Sequence, residues 1–186
     1  MELKQTNRYN KIFNQGKNMK KILPLLLIIT FLAIVAMIVI SMAKENQPIT
    51  IVKGNLEMKP IDIKLNATND TECKMIIKHL DNSAEVVDRD GRTWFFDDVG
   101  CMVLWLEGKK FKNDAKLWVH TVDSKKWVNA KQAFYGVTDH TAMHYGFGAR
   151  EKETNSTINF HEMQLRMLRG ENLTNPKIRK KLLGEY

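Results

Sequence analysis

The strongest pattern along the chain is an uncharged run from Ile22 to Ala43, rich in Ile, Leu, Val and Met. A helix rises about 1.5 Å per residue and needs about 20 apolar residues to cross the hydrocarbon core of a bilayer. The run therefore predicts a transmembrane anchor over residues 22–43. A cleaved signal peptide is the alternative, because Ser41–Ala43 has the small residues of a cleavage site, although signal peptides usually have only about 7–15 apolar residues.

The charges around this run predict its orientation. Residues 1–21 hold six Lys or Arg and a single acidic residue, and Lys44 is the only basic residue between the run and Lys53. Because basic loops stay in the cytoplasm, the amino terminus is expected inside and residues 44–186 outside. The chain is therefore predicted to be a single-pass membrane protein whose soluble part lies outside the cytoplasm.

Beyond the anchor, alternating apolar positions predict a β-hairpin. The segments 83–87 and 93–96 flank Asp88–Gly91, and Asp and Gly are typical of the tight turns that join paired strands. Further strands are expected at 116–121 and from Trp127 onward. A short helix is expected at 130–135. The spacing of apolar residues predicts another helix at 157–169, but these residues fall on two opposite sides of it, so its buried face stays open.

A helix is predicted directly after the hairpin. Asp97 or Asp98 can cap its first turn, and Gly108 is typical of a helix end. Its apolar residues recur at the spacing of one helix face, which predicts contact with a core. That stripe comprises Val99, Met102, Val103 and Leu106.

Together these elements predict a small α+β fold behind a single N-terminal transmembrane helix. Asn175-Pro176 is expected to break the chain ahead of a basic tail. The predicted segments are a cytoplasmic basic segment at 1–21, the anchor at 22–43, a linker with short strands at 44–72, a domain at 73–153, and a C-terminal helix with a basic tail at 154–186.

Charge and motif content narrow the function classes. The formal net charge is +8, yet residues 44–161 are neutral, so the excess lies at the two ends. A nucleic-acid partner is not expected, because the middle of the chain has no basic patch. The familiar signatures of nucleotide binding, zinc proteases and serine hydrolases do not occur, and no catalytic constellation stands out. The chain is therefore predicted not to be an enzyme.

Two short segments carry candidate metal ligands. Cys73 and Met75 would point to one face of an extended chain, and a thiolate beside a thioether favours Cu(I) over Mg²⁺, Ca²⁺ or Mn²⁺. His140–His144 offers two imidazoles and a thioether within five residues. The alternative for both segments is structural, with Cys73 and Met75 filling a core and the histidines lying on the surface.

The second cysteine, Cys101, allows other interpretations of Cys73 and of the function. A disulfide between Cys73 and Cys101 would occupy the first candidate ligand, and the same pair could serve a thiol-redox protein. A third alternative is a structural subunit of a membrane complex. Cys101 is expected to point away from the predicted stripe, towards another surface.

The order of motifs over residues 73–150 resembles the NosL family of copper-binding accessory proteins for nitrous oxide reductase. The resemblance implies a small domain of ββαβ units over 73–153. Together with the predicted anchor, it implies a single-pass protein of a bacterial inner membrane, with the soluble domain in the periplasm. Its motifs are C-x-M at Cys73–Met75, D-G at Asp90-Gly91, an aromatic-F-x-D stretch at Trp94–Asp97, a G-C-M-V-L-W-L helix at Gly100–Leu106, a W-V-x-A stretch at Trp127–Tyr135, and an x-M-x-x-G-F-G-A segment at Ala142–Ala149.

The resemblance also implies a ligand set and a role. Cys73 and Met75 match the family's metal-binding pair, and Met143 matches the methionine of its Pro-Met-Gly segment. Here that segment is Ala142-Met143-His144, so His144 is a candidate additional ligand. The implied role is delivery of Cu(I) to a copper-receiving periplasmic or membrane enzyme, such as nitrous oxide reductase, or to its assembly factors.

Overall fold

A computed structural model describes residues 23–42 and 47–184 of the chain. Within these ranges the protein is mixed α and β, with four helices and two antiparallel sheets. Its contacts divide the chain into two compact units, Met1–Gln47 and Pro48–Tyr186.

Helix α1, Leu23–Met42, lies in the first unit. Its 20 residues make it long and apolar enough to cross a membrane, by length and composition. The basic segment 1–21, on which the predicted orientation rests, and Ala43 of the possible cleavage site lie outside the described residues.

The larger sheet has five antiparallel strands in the order β1-β3-β2-β4-β5. The strands are β1 (Ile51–Val52), β2 (Ala84–Val87), β3 (Thr93–Phe96), β4 (Lys116–His120) and β5 (Trp127–Asn129). Strand β1 belongs to the segment predicted as a linker, and it adds one edge to this sheet.

The predicted hairpin is confirmed as β2 and β3. Val87 pairs with Thr93 across the turn. The Asp88 carboxylate closes the turn, because its Oδ1 accepts hydrogen bonds from the backbone N–H groups of Asp90 and Arg92. Gly91 follows with a φ of 74°, a conformation that costs glycine little.

The helix predicted after the hairpin is also confirmed, as α2 (Val99–Glu107). Asp98 is its N-cap, and Oδ1 of its side chain accepts a hydrogen bond from the backbone N–H of Gly100. Gly108 ends the helix. The predicted apolar stripe is buried over its whole length.

A second sheet contradicts the helix predicted at 130–135. Strand β6 (Phe134–Tyr135) lies between β7 (Ala149–Arg150) and β8 (Ile158–Asn159). The prediction is wrong because long-range pairing on both sides of β6 fixes residues 134–135 as a strand, and aromatic residues suit strands. The Tyr135 hydroxyl further fixes the turn before β6 by donating to the Ala130 carbonyl at 2.7 Å.

Two helices complete the second unit. Helix α3 (Phe160–Leu168) begins later than the predicted 157, because residues 158–159 form β8. Its buried residues are Phe160, Met163 and Met167, which decides the face that the sequence left open. Helix α4 (Pro176–Leu183) corrects the predicted break at Asn175-Pro176, since Asn175 caps this helix and proline is well suited to a first helical position.

The core has two parts. The main core comprises side chains from α2, α3 and both sheets, including Val86, Phe96, Met102, Tyr135 and Met163. A second cluster of Ile63, Ile77 and Phe95 is completed by partly buried residues such as Ile49 and Ile61.

Glu85 is a buried carboxyl group in the centre of the larger sheet. Its Oε2 accepts a hydrogen bond from the backbone N–H of Ile61 at 3.1 Å, whereas Oε1 has no hydrogen-bond partner. Burial, with a smaller contribution from Asp62, raises its pKa from 4.5 to about 8. The folded protein therefore keeps a proton that the unfolded chain releases, so stability falls as the pH rises from about 4.5 to about 8.

We expect Glu85→Gln to raise the melting temperature at pH 8 and to change it much less at pH 5, because glutamine stays neutral at both. Thermal unfolding of the two proteins at both pH values measures this difference. Glu171→Gln, at an exposed acidic position, is the control and should leave both melting temperatures unchanged. An equal effect of Glu85→Gln at both pH values would contradict the titration argument.

Candidate metal centre

Four side chains that could hold a metal ion meet at the junction of β3 and α2. They are Asp70, Cys73, Asp97 and Cys101, and their ligand atoms all lie within 4.8 Å of one another. Cys73 is partly buried, and the other three are buried. This group is called the sulfur–carboxylate cluster below.

Asp70 positions the other members of the cluster. Its Oδ1 accepts hydrogen bonds from the backbone N–H groups of Glu72, at 2.6 Å, and Cys73, at 2.8 Å. Its Oδ2 accepts a third from the backbone N–H of Asp97 at 2.8 Å. One carboxylate therefore fixes the turn that carries Cys73 and joins it to the end of β3. Since backbone groups occupy both of its oxygens, Asp70 has less capacity to bind a metal than the other three residues.

Asp97 and Cys101 reach the cluster because the helix starts directly after the hairpin. Asp97 follows the last residue of β3, and Cys101 lies in the first turn of α2. The Cys73 thiol donates towards Oδ1 and Oδ2 of Asp97 at 3.8 and 4.0 Å. Interactions with the Met75 backbone and the Cys101 side chain lower the pKa of the Cys73 thiol and partly oppose the effect of burial.

Burial dominates the electrostatics of the cluster. It raises the pKa of the Cys73 thiol to about 11, and it also raises the pKa of Cys101. Burial, followed by the hydrogen bond with Asp70, raises the pKa of Asp97 to about 8. At neutral pH both thiols therefore carry protons. A metal that binds them has to displace these protons, so its affinity should increase with pH.

Asp98 ties the segment 141–143 to the start of α2. While its Oδ1 caps the helix, its Oδ2 accepts a hydrogen bond from the backbone N–H of Met143 at 3.1 Å. Its side chain also hydrogen-bonds Thr141. The half-buried Met143 and Cys73 both pack against the main core. Asp98 thus anchors Met143 at the helix terminus that carries Cys101.

Tyr145 covers the start of the same helix. A Cβ atom added to Gly100 would lie 2.4 Å from Cδ2 of the Tyr145 ring, so this close approach requires glycine at position 100. Burial raises the pKa of Tyr145, and the neighbouring Cys101, Asp98 and Cys73 raise it further. The ring therefore packs directly against the start of α2, close to the cluster.

The structure places the predicted ligands Cys73 and Met75 differently from expectation. Residues 71–73 form a turn and Lys74 has a left-handed φ of 67°, so the extended geometry assumed for Cys73–Met75 is wrong. The Lys74 ammonium group hydrogen-bonds the Thr71 carbonyl. Cys73 faces the core, whereas the Met75 side chain is 45% exposed.

The predicted ligands Met143 and His144 also separate. Met143 packs inward, as described above, whereas His144 is exposed and has a left-handed φ of 57°. The His144 ring contacts that of His140, with the ring centroids 5.3 Å apart. His144 is not a member of the sulfur–carboxylate cluster.

The sequence alone does not predict the cluster that the structure shows. It does not mark Asp70 as a ligand, it predicts Asp97 only as a helix cap, and it predicts that Cys101 faces another surface. Cys101 instead lies beside Cys73, and both are free thiols, so the disulfide alternative is not formed here. The spacing of Asp97 and Cys101 is the feature of the sequence that indicates the cluster, because residues four apart meet on one side of a helix start.

Comparisons of the chain with protein-family models and with curated proteins found no match. The resemblance to NosL therefore rests on the sequence motifs alone. Across residues 23–42 and 47–184, the structure shows a mixed α and β protein with an apolar helix of membrane-spanning length and a largely buried cluster that could hold a metal ion.

Proposed function

We propose that this protein is a membrane-anchored carrier of Cu(I) that delivers the ion to a periplasmic copper enzyme, such as nitrous oxide reductase. In this proposal α1 is the anchor, residues 48–184 lie in the periplasm, and the carrier transfers an ion without catalysing a reaction. The consecutive elements β2, β3, α2 and β4 would correspond to the ββαβ unit of a NosL-like domain.

The observation that carries the proposal is the meeting of two free thiols within one buried cluster. Thiolates and thioethers are soft ligands that select Cu(I), whereas carboxylates suit harder ions. A site of two sulfurs and two carboxylates would also suit Zn²⁺. Asp70 already accepts three backbone hydrogen bonds, which leaves a donor set in which sulfur dominates and favours copper.

The proposed copper ligands are the thiolates of Cys73 and Cys101. Met143 is the third proposed ligand, because Asp98 holds its backbone at the start of α2 and its side chain is half-buried. Met75 and His144, which the sequence predicts as ligands, remain candidates for additional or transient contacts.

The raised thiol pKa values suit a carrier better than a permanent store. When the ion leaves, Cys73 and Cys101 regain their protons, since burial favours the neutral thiol over the thiolate. Reprotonation therefore helps the site to release copper to a recipient that supplies competing ligands.

The proximity of the two thiols also supports a second candidate function, in thiol–disulfide exchange. Reactive cysteines have lowered pKa values, because the thiolate is the nucleophile. Here burial raises the pKa of both cysteines. The raised pKa values therefore argue against a reactive thiolate at neutral pH, whereas a metal ion that binds the pair can displace the thiol protons.

Competitive titration of the full-length protein in detergent, under reducing conditions, tests the proposal. Cu(I) is supplied with a chromophoric chelator, and Zn²⁺ is titrated in parallel. We expect one Cu(I) per chain, bound more tightly than Zn²⁺, with an affinity that increases with pH. Tighter binding of Zn²⁺ would contradict the assignment of the cargo, and the absence of Cu(I) binding would contradict the proposed function.

A further inference from the structure

A cavity of about 830 Å³ opens beside the sulfur–carboxylate cluster. The side chains that line it include one thioether and two imidazoles, from Met75, His79 and His140. All three residues are exposed. They come from two separate segments of the chain, so the fold rather than the sequence spacing brings them to one cavity.

Asp97 connects this cavity to the cluster. Among the four cluster residues, Asp97 is the one that lines the cavity. Its carboxylate oxygens lie 3.8 and 4.0 Å from the Cys73 sulfur. Cys101 and Asp70 are fully buried, and Tyr145 covers the start of the helix. The cavity therefore reaches the cluster at Asp97, next to Cys73.

The cavity ligands differ chemically from the ligands of the cluster. Imidazole and thioether groups bind copper without the charge of a thiolate, and a thioether has no proton to displace. Ligands of this kind can capture Cu(I) at the surface of the protein, because neutral imidazole and thioether groups each offer a lone pair. They also release it readily to a thiolate, which binds the ion more tightly.

We infer that this cavity is the loading port of the carrier, in which Met75, His79 and His140 capture Cu(I) and pass it beside Asp97 to Cys73 and Cys101. The inference rests on the proposed function. Copper remains Cu(I) throughout the transfer, and each thiol that binds it releases its proton to solvent. The port should therefore determine how fast the ion is loaded, while the buried sulfurs determine how tightly it is held.

The inference is tested by stopped-flow transfer of Cu(I) from its bicinchoninate complex to the full-length protein in detergent. We expect the double variant His79→Asn/His140→Asn to load Cu(I) about tenfold more slowly. A tenfold change is at the lower end of the effects on metal binding or activity seen when groups around a metal site are altered. Its final stoichiometry and affinity should equal those of the parent. Both positions are exposed, so folding should be unaffected, and each single variant should show part of the delay. His161→Asn, at an exposed position on α3, is the control and should load at the parent rate.

Two outcomes would overturn the loading port while leaving the proposed function intact. One is an unchanged loading rate in the double variant. The other is a loss of affinity that accounts for the whole loss of rate, since the histidines would then be ligands of the final site. If the parent itself takes up no Cu(I), the proposed function fails and the loading port fails with it.

Discussion

Replacing Cys101 with serine should lower the Cu(I) affinity of the full-length protein by at least about 100-fold. Changing a residue that only hydrogen-bonds to a metal ligand already lowers metal affinity by about 10–100-fold, and Cys101 is itself a proposed ligand. The substitution removes one of the two proposed thiolate ligands and keeps nearly the same side-chain volume. Cys73 alone would then have to hold the ion with weaker partners. Competition with a chromophoric Cu(I) chelator measures the affinity, and circular dichroism checks that α2 still forms.

Met102→Leu is the matched control for this prediction. Met102 is the neighbouring sulfur residue on α2, but it is buried in the main core and is not a member of the cluster. Its replacement removes a sulfur at similar volume, so the Cu(I) affinity should stay within about twofold of the parent value. Loss of affinity in Met102→Leu, or its retention in Cys101→Ser, would show that the copper ligands lie elsewhere.

The second large effect is expected from Asp98→Ala, which should lower the free energy of unfolding by about 2–4 kcal/mol. Loss of a helix cap costs about 1 kcal/mol. The backbone N–H of Met143 also loses its partner, at a cost of about 1–3 kcal/mol. Denaturant unfolding in detergent, followed by tryptophan fluorescence, measures the difference. Asp98→Asn should lose much less stability, because the amide oxygen can still accept a hydrogen bond.

The same variant tests the role of Met143 in metal binding. If Asp98 holds Met143 towards the cluster, Asp98→Ala should also weaken Cu(I) binding by about tenfold in the protein that remains folded. Unchanged affinity, together with reduced stability, would limit Asp98 to a structural role and remove Met143 from the proposed ligand set.

Local patterns in the sequence predicted the part of the fold that surrounds the site. The hairpin from β2 to β3 follows from its Asp-Gly turn, and α2 follows from its cap, its apolar stripe and Gly108. Each of these elements is specified by residues close together in the chain. The small second sheet was missed because β6 depends on pairing with strands that lie well beyond it in sequence.

The candidate site could be predicted only in part, because its geometry also depends on contacts between residues that are distant in sequence. Cys73 was identified from its chemistry, but its turn is fixed by Asp70, whose carboxylate reaches 27 residues along the chain to Asp97. Met75 was placed beside Cys73 on the assumption of an extended chain, which the left-handed Lys74 contradicts. Cys101 joins Cys73 through long-range packing that sequence spacing does not reveal.

X-ray absorption at the copper edge of the Cu(I)-loaded protein tests the central claim most directly. In the parent, we predict a first coordination shell dominated by sulfur, with both thiolates bound to one copper ion. The Cys101→Ser variant should show one sulfur fewer. A parent shell made mainly of nitrogen and oxygen, or identical spectra from parent and variant, would contradict the assignment of Cys73 and Cys101 as the copper ligands.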